Sequence, residues 1–228
     1  MCLKIRIHGF GLARFVEYCF AMPSGMIGEW LYSLHMRLIW LKSSLSLIQR
    51  YKVTKISKGH DIKLHLGCGA VILPKWINVD EYKSKGVDFS WDITKKLPLL
   101  SNCCKFIYSH HVIEHIEKEL IQEVFRECYR VLLSNGIFRI AVPDLKAVVE
   151  NYTLGKGGHG TPAETLNWIF LQKGHKFIYD YDELQRQLAT AGFRNVKKSG
   201  CNESDFEVLR VDKEDGVQNY TLYLEAQK

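Results

Sequence analysis

The stretch Lys63–Asp80, KLHLGCGAVILPKWINVD, decides the fold. Leu64 and Leu66 alternate with polar neighbours and run into Gly67-Cys68-Gly69. A second apolar burst, Trp76-Ile77-Asn78-Val79, ends in Asp80. A strand that empties into glycines lets backbone come close to a ligand, because no side chain stands in the way. An acid at the tip of the next strand can accept hydrogen bonds from a ribose diol. Together they describe a nucleoside-shaped site at the carboxyl ends of parallel strands. A dinucleotide fingerprint would place a third glycine at position 72, which is Ile72. Only Ala70 to Trp76, with Pro74 inside, separates the glycine turn from the second strand. A crossover with a full helix needs at least about ten residues, so the first helix is expected to be one turn or absent.

The elements that follow repeat this rhythm. Residues 86–92 predict a third short strand ending in Asp92, and Lys105–Ser109 a fourth. Glu117–Leu133 has helical periodicity, with Leu120, Ile121, Val124, Cys128, Val131 and Leu132 inward, and Asn135-Gly136 is expected to cap it. Ile137–Val142 is an apolar fifth strand stopped by Pro143-Asp144. Leu145–Tyr152 predicts a helix, the glycine-rich run 155–160 a lid-like loop, and Asp182–Ala191 a helix with Asp182 at its N-cap and Gly192 at its stop. Phe193–Lys198 and Tyr220–Ala226 read as a closing antiparallel hairpin. Strands alternating with helices give an α/β class, a doubly wound and mainly parallel sheet.

Before this body, expected over 61–228, lies an extension, 1–60. It carries nine Lys/Arg against two acids, or +7, which leaves the body near −1 of the chain's net +6. A near-neutral body argues against a nucleic-acid partner. Within the extension, Ile27, Leu31, Leu34, Leu38, Leu41, Leu45 and Ile48 are spaced 4-3-4-3-4-3, a helix with one apolar seam. Three readings stay open for helix 27–48: packing on the protein's own core, self-association, or peripheral contact with an anionic membrane surface through Arg37, Lys42, Arg50 and Lys52. No run is apolar enough to span a bilayer, and Arg14 and Glu17 interrupt the first apolar stretch. Seven cysteines without metal-pair spacing suggest reduced thiols, hence a cytoplasmic location, with the inner membrane face as the place of any peripheral contact.

With these residues placed, residues 62–228 resemble the class I S-adenosyl-L-methionine (SAM)-dependent methyltransferases. More narrowly, they look like the methyltransferase type 11 group of small bacterial proteins linked to surface-polysaccharide biosynthesis. The motifs are LHLGCG (64–69), WINVD (76–80), WDI…LP (91–98), YSHHVIEHI (108–116), RVLLSNGIFRIAVPDL (130–145), GHKFIYDYDELQRQLATAGF (174–193) and TLYLEAQK (221–228). The resemblance implies a Rossmann-like methyltransferase sheet and SAM as cofactor. It implies that Gly67, Cys68 and Gly69 approach the amino-acid part and ribose, and that Asp80 holds the ribose hydroxyls. Asp92 and Ile93 would flank the adenine, and Ser109 and His110 would line the methionine side. The sequence departs from the family at His65, where an acid is usual, and at Val71, where a small residue is usual.

Methyl transfer to a hydroxyl needs alignment and a base. His111, Glu114 and His115 stand at i, i+3 and i+4, which predicts one helix face. His111 or His115 would be the base and Glu114 its orienter; bracing of the helix start is the structural alternative. The spacing also suits a divalent metal and is similar to that of the ubiquinone-pathway O-methyltransferases, which place two acids and a histidine there. His111 in place of the first acid favours a softer ion or none, and no metal is assigned. His175, beside Tyr179, Asp180 and Tyr181, is a second base candidate, and Glu203-Ser204 would extend the acceptor wall. The expected acceptor is a glycan or glycan precursor. The alternatives are a small metabolite or quinone-like lipid and, in another class, a non-catalytic nucleotide-binding interaction protein.

Overall fold

The computed structural model describes residues 61–158, 160–171, 174–212 and 220–228. The helix expected over 27–48 lies outside them. They form a seven-stranded sheet from β1 (Ile62–Leu66), β2 (Ile77–Asp80), β3 (Phe89–Ser90), β4 (Cys104–His110), β5 (Leu132–Pro143), β6 (Arg194–Ser199) and β7 (Thr221–Gln227). The order is β3-β2-β1-β4-β5-β7-β6. The first five strands are parallel, and β7 runs antiparallel between β5 and β6. This is the expected mainly parallel sheet with an antiparallel C-terminal pair. Order reverses between β1 and β4, so their carboxyl ends flank the crevice where open α/β sheets bind ligands.

No helix joins β1 to β2, as the short spacing predicted. The helices are α1 (Ile121–Val131), α2 (Leu145–Thr153), α3 (Pro162–Leu171) and α4 (Tyr181–Thr190). One sheet face buries Leu64, Leu66, Ile107, Phe138 and Ile140 against Ile121, Phe125 and Cys128 of α1 and Leu184 and Leu188 of α4. These helix residues recur at three- and four-residue intervals, so each helix turns one apolar stripe to the sheet. On the other face Trp76, Phe106, Tyr108 and Ile137 pack on Leu209, from the segment between β6 and β7.

That segment is held by a buried ion cluster. Arg139 of β5 is fully buried, and its guanidinium pairs with Asp212 and with Glu225 of β7. It also donates to Ser199 Oγ (2.8 Å), Gly200 O (2.8 Å) and Glu203 O (3.1 Å). Burial disfavours the charge, but Asp212 and Glu225 outweigh it and raise the Arg139 pKa above its usual value.

Several expected boundaries shift. β3 stops at Ser90 rather than Asp92, because Asp92 turns aside to accept from Thr94 N–H and Oγ1. Asn135 is left-handed (φ 62°) as a cap would be, yet α1 ends at Val131 and Asn135 lies within β5. The N-cap of α4 is Asp180, whose carboxylate accepts from Glu183 N–H at 2.9 Å, and not Asp182. Helix α3 was not expected. It is announced by a capping box in which Thr161 N–H donates to Glu164 and Glu164 N–H donates to Thr161 Oγ1, with Pro162 as its first residue. α2 and α3 pack on each other through Val148 and Ile169.

Replacing Arg139 with Met would leave Asp212 and Glu225 buried without a counter-charge, at a cost of roughly 3–5 kcal/mol. Urea denaturation should show a lower midpoint at unchanged slope. Replacing Lys146, whose partner Glu150 is as exposed as itself, should leave the midpoint where it is.

Candidate active site

Above the carboxyl ends of β1, β2 and β4 lies a cleft of about 350 Å³, lined by Gly67, Asp80, Asp92, Ile93, His111 and His115 among others. That volume lies within the ~300–1,000 Å³ typical of small-molecule sites. The turn that replaces the missing helix borders the cleft at Gly67, and polar side chains fix that turn. Asn78 accepts from Leu73 N–H (2.9 Å) and donates to the carbonyls of Leu73 and Trp76 (both 3.1 Å). Asp80 accepts from Gly69 N–H at 2.8 Å through one oxygen and from Tyr82 N–H at 3.1 Å through the other. A carboxylate oxygen accepts more than one bond, so both keep capacity for a ligand hydroxyl.

The glycines differ in use. Both are left-handed, φ 65° for Gly67 and 51° for Gly69. A Cβ on Gly67 would collide with Val112, so this glycine makes room for the segment after β4. A Cβ on Gly69 would meet nothing within 4 Å, so its backbone is the one open to a ligand. Cys68 between them is buried, and burial followed by the Asp80 charge pushes its thiol up to about 11, which leaves it no nucleophilic role.

Beyond β4 the expected helix face is absent. His111 is left-handed (φ 53°) and precedes a 3-10 turn, Ile113–His115; α1 begins only at Ile121. The left-handed backbone at His111 and the turn that follows send the side chains different ways: His111 Nδ1 meets Glu114 Oε1 at 3.0 Å, while His115 faces His175 with ring centroids 4.8 Å apart. His111 Nε2 lies 3.3 Å from Thr221 Oγ1. Glu114 is fully buried, and among the described residues its Oε2 has no hydrogen-bond partner. The Glu114 carbonyl accepts from Lys176 N–H (2.7 Å) and Phe177 N–H (3.2 Å), which brings His175 to the cluster from sixty residues along the chain. His175 Nδ1 donates to Ile169 O at 2.6 Å. Burial, followed by smaller effects, holds the His175 pKa below the usual histidine value.

Six predicted residues lie off the cleft lining: Cys68, Gly69, Ser109, His110, Glu114 and His175. Ser109 is wholly buried at the end of β4, its hydroxyl without a partner, and His110 stacks on Tyr108. Tyr179 is buried in the core, Asp180 caps α4, and Tyr181 Oη donates to Val196 O at 2.9 Å. Glu203 and Ser204 line a separate depression beside Lys197 and Arg210. Sequence reading passed over Tyr82 and Trp91, two aromatic walls of the cleft. The signal was their position, Tyr82 two residues after Asp80 and Trp91 directly before Asp92.

A methyltransferase domain model matches residues 72–140. A SAM-dependent methyltransferase from Archaeoglobus fulgidus superposes with a TM-score of 0.51 at 18% identity, over 82% of this chain and 94% of that one. A SAM-dependent methyltransferase from Thermotoga maritima gives 0.49 at 15% identity, over 84% and 97% of the two chains. No curated protein is significantly similar in sequence. Residues 72–140 thus match a methyltransferase domain, the sheet has the Rossmann-like fold of a SAM-dependent methyltransferase, and together they support S-adenosyl-L-methionine as the cofactor. The residues fit that cofactor: the cleft is lined by Gly67, by the pinned Asp80 carboxylate with spare lone pairs, and by Asp92.

His65 is the exception. It occupies the family's usual acidic position, yet it is buried, with Nδ1 3.1 Å from Asn78 Oδ1. Burial lowers its pKa from 6.5 to about 4, so at neutral pH it offers no charge to an ammonium group. Above pH 6.5 the imidazole is neutral in both the folded and unfolded chain. Between 6.5 and about 4 the unfolded chain takes up the proton first, so stability falls as pH falls through that window, by about 3 kcal/mol. Denaturant titrations from pH 7 to pH 4 should show this loss, and His65→Gln should flatten that part of the profile.

Proposed function

We propose that the enzyme methylates an oxygen of a glycan or glycan precursor, with His111 as the base. The observation that carries this is the His111–Glu114 pair on the rim of the cleft that holds Asp80 and Asp92. A carboxylate only accepts, so Nδ1–H donates to Glu114 and the lone pair stays on Nε2. Nε2 now faces Thr221 Oγ1, and an acceptor hydroxyl taking that place would give up its proton to it. The backbone of His111 is fixed independently, since its N–H donates to Ala141 O at 2.9 Å. Asp80 and Asp92 bind and orient the nucleoside end, and Tyr82 and Trp91 wall it. When bound, the cofactor supplies an electrophilic methyl on a sulfonium. The chain contributes alignment and proton removal, each worth orders of magnitude in rate.

The glycan class rests on the resemblance of the motifs, and the basic extension supports it, since +7 over residues 1–60 suits a surface of anionic lipid where lipid-linked precursors reside. Among the described residues no helix is long and apolar enough to cross a membrane. A lipid-like acceptor is the second reading, favoured by exposed Leu154, Phe170 and Leu171 on the α2–α3 unit.

Incubation with methyl-labelled SAM and either sugar nucleotides, lipid-linked glycans or quinone precursors should label the glycan set. Label only in the quinone set would replace the first reading with the second. His111→Gln should lower kcat by roughly 10²–10⁴ while the affinity for S-adenosylhomocysteine stays within a few-fold. An unchanged kcat would remove His111 from the chemistry.

A further inference from the structure

The reading above uses one oxygen of Glu114 and leaves the other, together with His115 and His175, without a task. These three side chains converge. Each offers one ligand atom, and the three atoms lie within 4.8 Å of one another. Ligand atoms on a tetrahedral divalent ion, with bonds of ~2.0–2.2 Å to nitrogen and oxygen, stand roughly 3.4 Å apart, so the set must draw in by up to about 1.4 Å. His115 and His175 are only partly buried and can turn to do so.

Three further observations point to a cation. Glu114 Oε2 is buried and has no hydrogen-bond partner among the described residues, an acceptor lone pair left unmet there. Such an atom is costly unless a donor or a cation meets it. His175 donates Nδ1–H to the Ile169 carbonyl, which leaves the lone pair on Nε2. Glu114 Oε1 is held in turn by His111 at 3.0 Å. A ligand histidine whose second nitrogen bonds a carbonyl, and a ligand carboxylate that is itself hydrogen-bonded, are the outer-layer arrangement of metal sites. The backbone also fixes the set, because the Glu114 carbonyl takes the N–H of both Lys176 and Phe177.

We propose that Glu114, His115 and His175 form a binding site for one divalent transition-metal ion of the zinc or cobalt type. Two imidazoles and a carboxylate are a borderline donor set, unlike the all-oxygen shells of magnesium and calcium. Three protein ligands leave a fourth position open, and His115 is also part of the cleft lining. The open position would receive an oxygen of the acceptor and make its hydroxyl easier to deprotonate by His111. That role rests on the methyl-transfer reading; the site itself does not.

The test is metal uptake by the full-length protein after stripping with a chelator. Cobalt(II) is titrated and its visible d–d bands are followed, with zinc(II) as competitor and magnesium(II) as control. One equivalent should bind, zinc should displace it, and magnesium in large excess should not. His175→Ala and His115→Asn should each weaken cobalt binding at least about tenfold with far-ultraviolet circular dichroism unchanged, and His175→Ala, which lies off the cleft lining, should still melt higher with S-adenosylhomocysteine. Equal binding in the wild type and both variants would overturn the proposal, as would thiolate-to-cobalt charge-transfer bands, which would place the ion on cysteine. So would the absence of saturable uptake. A stoichiometric site in a protein that transfers no methyl to oxygen would sustain this inference and defeat the reading above.

Discussion

The carboxylate of Asp80 accepts from Gly69 N–H at 2.8 Å and from Tyr82 N–H at 3.1 Å, and the cofactor end of the cleft depends on this. A βαβ crossover ordinarily fixes the first ligand loop by docking a helix on the sheet. Residues 67–76 have no helix, so burial cannot hold them in that way. Side-chain hydrogen bonds take over. Asp80 pins the glycine end, and Asn78 pins the far end through Leu73 and Trp76. Each such bond contributes only about 1 kcal/mol net, but together they leave the turn few alternatives. The pin that shapes the turn also keeps lone pairs free for a ligand hydroxyl.

The second fixed point is Glu114. Its carbonyl ties the chain at Lys176 and Phe177, and its carboxylate sets the tautomer of His111. The residue is buried on every side, so its geometry is set by the fold rather than by solvent. Arg139 plays a comparable part on the opposite face, where Asp212 and Glu225 balance its charge and fasten the segment before β7. Each anchor joins segments far apart in sequence.

That distance explains what could and could not be read in advance. Strand alternation at Leu64 and Leu66, the apolar run 137–142 and the acids at strand ends are local patterns, and the parallel sheet followed from them. The short spacing from Gly69 to Trp76 foretold the missing helix. Local capping chemistry was misplaced in two cases: Asp180 caps where Asp182 was expected, and the Thr161–Glu164 box of α3 was passed over beside a glycine-rich run. Asn135 adopts the left-handed conformation of a cap, but its N–H donates to Lys228 O, just after the neighbouring strand β7. For the site, Asp80 was legible as a strand-end acid, whereas Asp92 stands two residues beyond the end of β3. The grouping of His115 with His175 was not legible, because a 3-10 turn and two backbone bonds to Glu114 create it, and neither leaves a periodic trace.

The central claim is that one cleft, built on the Asp80-pinned turn, binds the nucleoside end of the cofactor. Calorimetric titration with S-adenosylhomocysteine, on the wild type and on Asp80→Ala, tests it most directly. The account predicts one saturable site in the wild type and at least a tenfold loss of affinity in the variant, with far-ultraviolet circular dichroism unchanged. Equal affinity in both proteins would contradict it and move the cofactor away from this cleft.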